Sequence, residues 1–151
     1  MNTKLIYSWY EQYKTGIYRY ALSILKDPHL AEDVLQEAFL RLMSGKSFPE
    51  PGKEQAWLYR VARNLCYDIL RKQRRETEAP PPGEYREGKF AYITLISPLP
   101  AKEQEIVTLR IVGGLTHKEI AKVLGITEHA ARKRYERAIA ALREQEENDG
   151  R

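Results

Sequence analysis

The chain has 151 residues, 42% of them apolar and 30% charged, with a formal net charge of +4. That length suits one ordinary domain or two small ones, and the balance of apolar to charged residues excludes a disordered chain. No apolar run reaches the roughly 18 residues of a membrane span, the start MNTKLIYSWYEQYK lacks the core of a secretory signal, and the single cysteine, Cys66, excludes an internal disulfide or a Cys-rich metal site. The expected compartment is therefore the cytoplasm.

Helical periodicity predicts helices over about 4–25, 28–44, 54–74, 101–112, 116–124 and 128–145, with a short further one over 91–97. No strand alternation and no internal repeat stand out. The fold class expected is all-α, with two small helical domains at 1–75 and 92–148. A linker over 76–91 joins them, because TEAPPPGEYREGK (77–89) carries three consecutive prolines that stop a helix and favour an extended path.

In the second helix, DPHLAEDVLQEAFLRLM (27–43), Asp27 is a side-chain cap and Pro28 suits the first helical position, where no amide donor is needed. Ala31, Val34, Leu35, Ala38, Phe39 and Leu42 form its core stripe. Asp33, Gln36, Glu37, Leu40 and Arg41 share the opposite side. That side is either a solvated face with one stray leucine or a ridge on which another protein docks.

The third helix, AWLYRVARNLCYDILRKQRR (56–75), sets Trp57, Leu58, Val61, Ala62, Leu65 and Ile69 on its expected buried stripe, and its place on that apolar face favours core over stacking platform for Trp57. Cys66 is expected as a small buried filler. Charge is uneven along the chain. Residues 1–75 hold 13 Lys/Arg against 8 Asp/Glu, or +5, while residues 76–151 hold 12 against 13, or −1. Within these halves the cations bunch in RKQRR (71–75) and RKRYER (132–137). Two separated clusters fit two contacts on one polyanion.

THKEIAKVLGITEHAARKRYERAIAAL (116–142) has the spacing of a helix-turn-helix. Thr116 and Glu119 match a capping box, and Gly113-Gly114 closes the helix before it. Ile120, Ala121 and Leu124 form the inner face of the first helix, Gly125 supplies the turn, and Ile126 plugs the gap. Ala131, Tyr135, Ala138 and Leu142 form the inner stripe of the second helix. Ala130, Arg132, Lys133, Arg134, Glu136 and Arg137 are left on its outer faces. The pair is either an ordinary helical hairpin with a solvated basic face or a DNA reader whose second helix enters a major groove. There arginine can pair with guanine and lysine can neutralise phosphate. The spacing and the four basic residues in six favour the second reading. Glu136 either accepts from a cytosine amino group or pairs within the helix with Arg132 or Lys133.

In order, AEDVLQEAFLRL, AWLYRVARNLCYDILRK, the Pro-rich break and LPAKEQEIVTLRIVGGLTHKEIAKVLGIT resemble a bacterial sigma factor of the extracytoplasmic-function type, the minimal branch of the sigma-70 family. The resemblance covers nearly the whole chain. It implies a transcription initiation factor with a region 2-like helical bundle and a region 4-like helix-turn-helix. Asp33, Gln36, Glu37, Leu40 and Arg41 then become candidates for docking on the clamp helices of the RNA polymerase β′ subunit. Arg60, Arg63, Asn64, Tyr67, Arg71 and Lys72 become candidates for opened minus-ten DNA, with Asn64, the asparagine of the family's ARN motif, at the edge of a flipped base. Ala130, Arg132, Lys133, Arg134, Glu136 and Arg137 become candidates for the minus-35 duplex. Region 4 also meets the polymerase β flap, and an anti-sigma factor is an implied partner.

For Tyr59 and Tyr67, packing on the first helix and base stacking stand equal. Lys133 departs from the small hydroxyl residue more usual in relatives. The prolines of SGKSFPEPGKEQ (44–55) stiffen the loop that sets the flipped-base pocket in the family.

The 17 residues from 76 to 92 reach roughly 56 Å when extended. That exceeds one turn of DNA, roughly 34 Å, so two domains on this tether can sit at separate elements. A dimeric operator-binding regulator would share the second domain; the AEDVLQE ridge and the RNLCYDILRK helix argue against it. His29, His117 and His129 lack metal-ligand spacing, and neither a nucleophile elbow nor a phosphate-binding glycine loop is present. No enzymatic activity, metal or cofactor is expected.

Overall fold

The computed structural model describes residues 3–76 and 91–149. Among these, seven helices form: α1 (Thr3–Leu25), α2 (Pro28–Ser44), α3 (Glu54–Glu76), α4 (Ala91–Ile96), α5 (Ala101–Ile111), α6 (His117–Leu124) and α7 (Glu128–Asp149), with no strand among the described residues. One compact unit holds α1 to α3 and a second holds α4 to α7. The expected linker falls almost wholly on 77–90, outside the described residues.

In the first unit α1, α2 and α3 pack on one another. The start of α2 follows from its sequence: Asp27 Oδ1 accepts from the backbone amides of His29 at 2.9 Å and Leu30 at 3.2 Å. Asp27→Ala should therefore lower stability by about 1 kcal/mol, read as a shifted denaturation midpoint at unchanged slope. The α2 core stripe is buried at each of its six expected positions. At the far end Gly45, with φ 72°, closes the helix in the left-handed region.

The α3 stripe differs from its expectation. Leu58, Tyr59, Ala62 and Cys66 are buried, whereas Trp57, Val61, Leu65 and Ile69 are only partly so. At 100° per residue, the buried face is turned by roughly 70° from the one that apolarity alone selects. The reason lies in α1, whose Tyr20 ring meets that of Tyr59 at 5.4 Å between centroids. Both rings are fully buried, and burial pushes the Tyr59 phenol's pKa well up. Of the two readings for Tyr59, core packing is the outcome. The turn of α3 brings Trp57 and Val61 toward the surface.

In the second unit α5, α6 and α7 pack together. Ile93, Ile96 and Leu99 add to the core, and Tyr92 meets the buried Thr108 hydroxyl at 3.1 Å. The capping box forms as expected: Thr116 Oγ1 accepts from the Glu119 amide at 3.1 Å, and Glu119 Oε1 accepts from the Thr116 amide at 3.0 Å. Gly125, at φ 70°, makes the turn between α6 and α7. On the inner faces Ile120, Ala121, Val123, Ala131 and Ala138 are buried, while Leu124, Ile126, Tyr135 and Leu142 are partly exposed. Alanines occupy the crossing, so the two helices approach closely and the larger side chains sit at its margins. α7 runs to Asp149, past the expected end at 145.

Candidate nucleic-acid interface

The ends of α2 and α3 build the principal site of the first unit. The loop after α2 is pinned by Phe48, whose ring lies 5.4 Å from that of Trp9 on α1, and by the buried Pro49. This leaves Lys46 and Ser47 beside the last turn of α2. Together with Glu37, Leu40, Arg41 and Ser44 of α2, and Trp57, Arg60, Val61 and Asn64 of α3, they line an open cleft of about 630 Å³. Its walls combine a flat indole and two aliphatic groups with an amide and three cations. Such a surface accepts a planar, hydrogen-bonding group attached to anions.

The expected site residues divide on this map. Arg60 and Asn64 are exposed and line the cleft. Arg71, exposed, shares their side of α3 by helical spacing and pairs with Asp68. Arg63 and Tyr67 lie further round, with the Arg63 guanidinium 4.8 Å above the Tyr67 ring. Lys72, also exposed, projects from the other flank. Trp57 and Val61 were expected in the core and instead line the cleft. In the sequence, only the family resemblance points to the loop around Lys46 and Ser47, and the orientation of Trp57 depends on a neighbour that α3 alone does not reveal.

Asp33, Gln36, Glu37, Leu40 and Arg41 are all exposed on α2, Leu40 to 55%. Leu40 is a crest between two hollows. On one side is the cleft; on the other, Ile6, Tyr7, Tyr10, Gln36, Phe39 and Met43 line an apolar hollow of about 390 Å³ between α1 and α2. Glu37 and Arg41 pair at 3.6 Å on the cleft side.

In the second unit, Arg132, Lys133, Glu136 and Arg137 are exposed on α7, while Ala130 and Arg134 are partly buried. Arg132 pairs with Glu128 at 3.4 Å and Lys133 with Glu136 at 3.7 Å. The Glu136 partner within the helix is thus Lys133. Exposed pairs of this kind are weak and yield to a phosphate. The Thr127 hydroxyl accepts from the Ala130 amide at 3.1 Å and so fixes the start of the helix.

His117, the first residue of α6, braces this helix from behind, its ring 5.5 Å from that of Tyr135. Its Nδ1 is shielded and has no hydrogen-bond partner. Burial lowers the His117 pKa below its ordinary 6.5, and the Arg110 and Arg132 guanidiniums lower it further against weaker opposition from Glu128 and Glu136. The fold therefore favours neutral imidazole. The contribution of His117 to stability is fully present above its ordinary pKa of 6.5 and is lost as pH falls from there through the depressed value. Thermal melts at pH ~7.5 and ~5.5 should differ by less in His117→Gln than in the parent chain.

Among the described residues no group of three or more His, Cys, Asp or Glu is gathered to hold a metal ion, and no helix is long and apolar enough to cross a membrane.

Comparison with known proteins gives this geometry its setting. Residues 9–76 match the family model for sigma-70 region 2, and residues 89–142 match that for sigma-70 region 4. The chain is 33% identical over 132 residues to the ECF RNA polymerase sigma factor SigM of Bacillus subtilis, covering 79% of this chain and 81% of that one. The chain belongs to the sigma-70 family. It is a transcription initiation factor of the extracytoplasmic-function (ECF) type. SigW of the same organism is 29% identical, with 88% of this sigma factor and 84% of SigW aligned. In fold it is similar to CnrH, solved in complex with the cytosolic domain of CnrY, with a TM-score of 0.74 and 21% identity over 98% of this chain and 91% of that one. The seven helices thus divide, α1 to α3 lying in region 2 and α4 to α7 in region 4. The all-α, two-unit architecture expected from sequence is the one observed.

Proposed function

We propose that the cleft between α2, α3 and the loop after α2 receives a base extruded from the opened minus-ten element. Asn64 meets its edge, Trp57 and Val61 flank its faces, and Arg60, Arg63, Arg71 and Lys72 hold the strand, with Tyr67 supporting Arg63. On this reading α2 docks on the β′ clamp helices of core RNA polymerase through Asp33, Gln36, Glu37 and Leu40, while Arg41, the fifth residue that the resemblance implies for that docking, stands in the cleft wall beside Arg60 and Asn64. α7 reads the minus-35 duplex through Ala130, Arg132, Lys133, Arg134, Glu136 and Arg137. The division of labour follows the domains expected at 1–75 and 92–148.

One observation carries the reading: a single cleft joins the amide of Asn64 to an indole wall and three cations. Its mechanism is differential binding. Contacts to an extruded base exist only after the duplex opens, so they offset the cost of opening. Neutralised phosphates release counterions, so binding falls steeply with salt. The polymerase performs the phosphodiester chemistry, and the chain itself acts without catalysis, in the cytoplasm, where promoter DNA is. An anti-sigma factor and the β flap complete its partners on family grounds.

Run-off transcription with core polymerase, followed by mapping of transcript starts, tests the reading. Starts that depend on the added chain are expected. A dimer footprint on a palindrome without polymerase-dependent transcripts would overturn it in favour of an operator-binding regulator.

A further inference from the structure

The five candidate docking residues share the exposed side of α2 but spread over roughly 140° of it, too wide for one stripe. Gln36 borders the apolar hollow and Leu40 borders both hollows, whereas Glu37 and Arg41 line the cleft with Arg60 and Asn64. Helical geometry agrees: at 100° per residue, Asp33, Gln36 and Leu40 cluster on one stripe, and Arg41 lies roughly 100° round from Leu40 toward α3. The cleft holds three cations, Arg41, Lys46 and Arg60. Glu37 is the single acid among the described residues that line it. It pairs with Arg41 at 3.6 Å, both side chains about half exposed at 49% and 48%.

From this we infer that Arg41 serves the opened DNA strand rather than the polymerase, and that Glu37 holds it back until polymerase takes Glu37 up. The inference rests on the reading of the cleft as the base pocket. In the free chain, Glu37 diminishes the positive field of the cleft twice over: it occupies Arg41, and its own charge repels a phosphate. An exposed ion pair is a weak restraint. A partner that engages the Glu37 carboxylate therefore frees a guanidinium whose fork matches a phosphate oxygen pair better than an ammonium would. Lys46 and Arg60 already mark where that phosphate lies. Polymerase docking and strand capture then favour each other, and by linkage the effect is mutual.

The probe is a fragment of a promoter identified by run-off mapping, with a mismatched bubble over the minus-ten element, bound by the full chain alone and by its complex with core polymerase. Arg41→Gln should leave affinity for core polymerase within about twofold and weaken bubble binding by the complex about tenfold. It should also flatten the plot of log affinity against log salt by about 0.7, the loss of one single-strand phosphate contact. Arg41→Lys should recover the salt slope but only part of the affinity. Glu37→Gln should weaken polymerase binding and raise the affinity of the free chain for the bubble by about threefold, from loss of one repulsive charge. If Arg41→Gln weakens polymerase binding as much as Glu37→Gln does, or leaves the salt slope unchanged, the inference is wrong. Asn64→Ala separates the levels: if it impairs bubble binding while Arg41→Gln does not, only the role of Arg41 falls. If neither variant has an effect, the cleft is not the base pocket.

Discussion

Replacement of Asn64 by alanine is expected to cut promoter opening by the polymerase complex roughly 5- to 150-fold, the equivalent of about 1–3 kcal/mol for hydrogen bonds to one base edge. Affinity for core polymerase should stay within about twofold. The expectation follows from placement. Asn64 is exposed and lines the cleft beside Trp57 and Arg60, away from the buried face of α3. Alanine is also the better helix former, so a loss cannot be put down to a weakened helix. Opening is read by permanganate reactivity of unpaired thymines, and polymerase binding by titration of a labelled chain. Equal losses in both readouts would show that Asn64 supports docking rather than base capture.

The second large effect is expected at α7. Arg132→Ala combined with Lys133→Ala should weaken binding of the complex to the upstream duplex and flatten its salt dependence by about 1.8, two phosphate contacts at 0.9 each. Both side chains are exposed, and each has only a weak partner within the helix to lose. The helix should therefore remain folded, and binding of the complex to a bubble that lacks upstream duplex should be unchanged. An unaltered salt slope would mean that neither cation meets a phosphate. A slope change with no change in sequence preference would assign base reading to the remaining outer residues of α7.

Much of this architecture was legible because the informative interactions are local. A capped start, a 3.6-residue apolar period and a glycine at the end are properties of one stretch of chain, and the α2 stripe was readable in full for that reason. The α6 capping box is equally local. α3 was legible only in part. Its sequence offers two adjacent stripes, and ranking by apolarity prefers Trp57 and Val61 over Tyr59, although Cys66 is buried as expected. The stripe that is buried depends on Tyr20, 39 positions before Tyr59 in the chain. No periodicity within α3 can register that partner. The same blindness separated Glu37 and Arg41 from Asn64 in the sequence, although they line one cleft in the fold.

The Arg63 guanidinium above Tyr67 has a thermodynamic consequence beyond its position. An arginine free to rotate loses side-chain freedom when it grips a phosphate, and that loss opposes binding. Stacked on an aromatic ring, the guanidinium is already narrowed to few orientations before any DNA arrives. The strand then meets a pre-formed rather than a searching cation. Tyr67 can thus strengthen association without touching nucleic acid, and its influence should appear in the entropy of binding more than in the enthalpy.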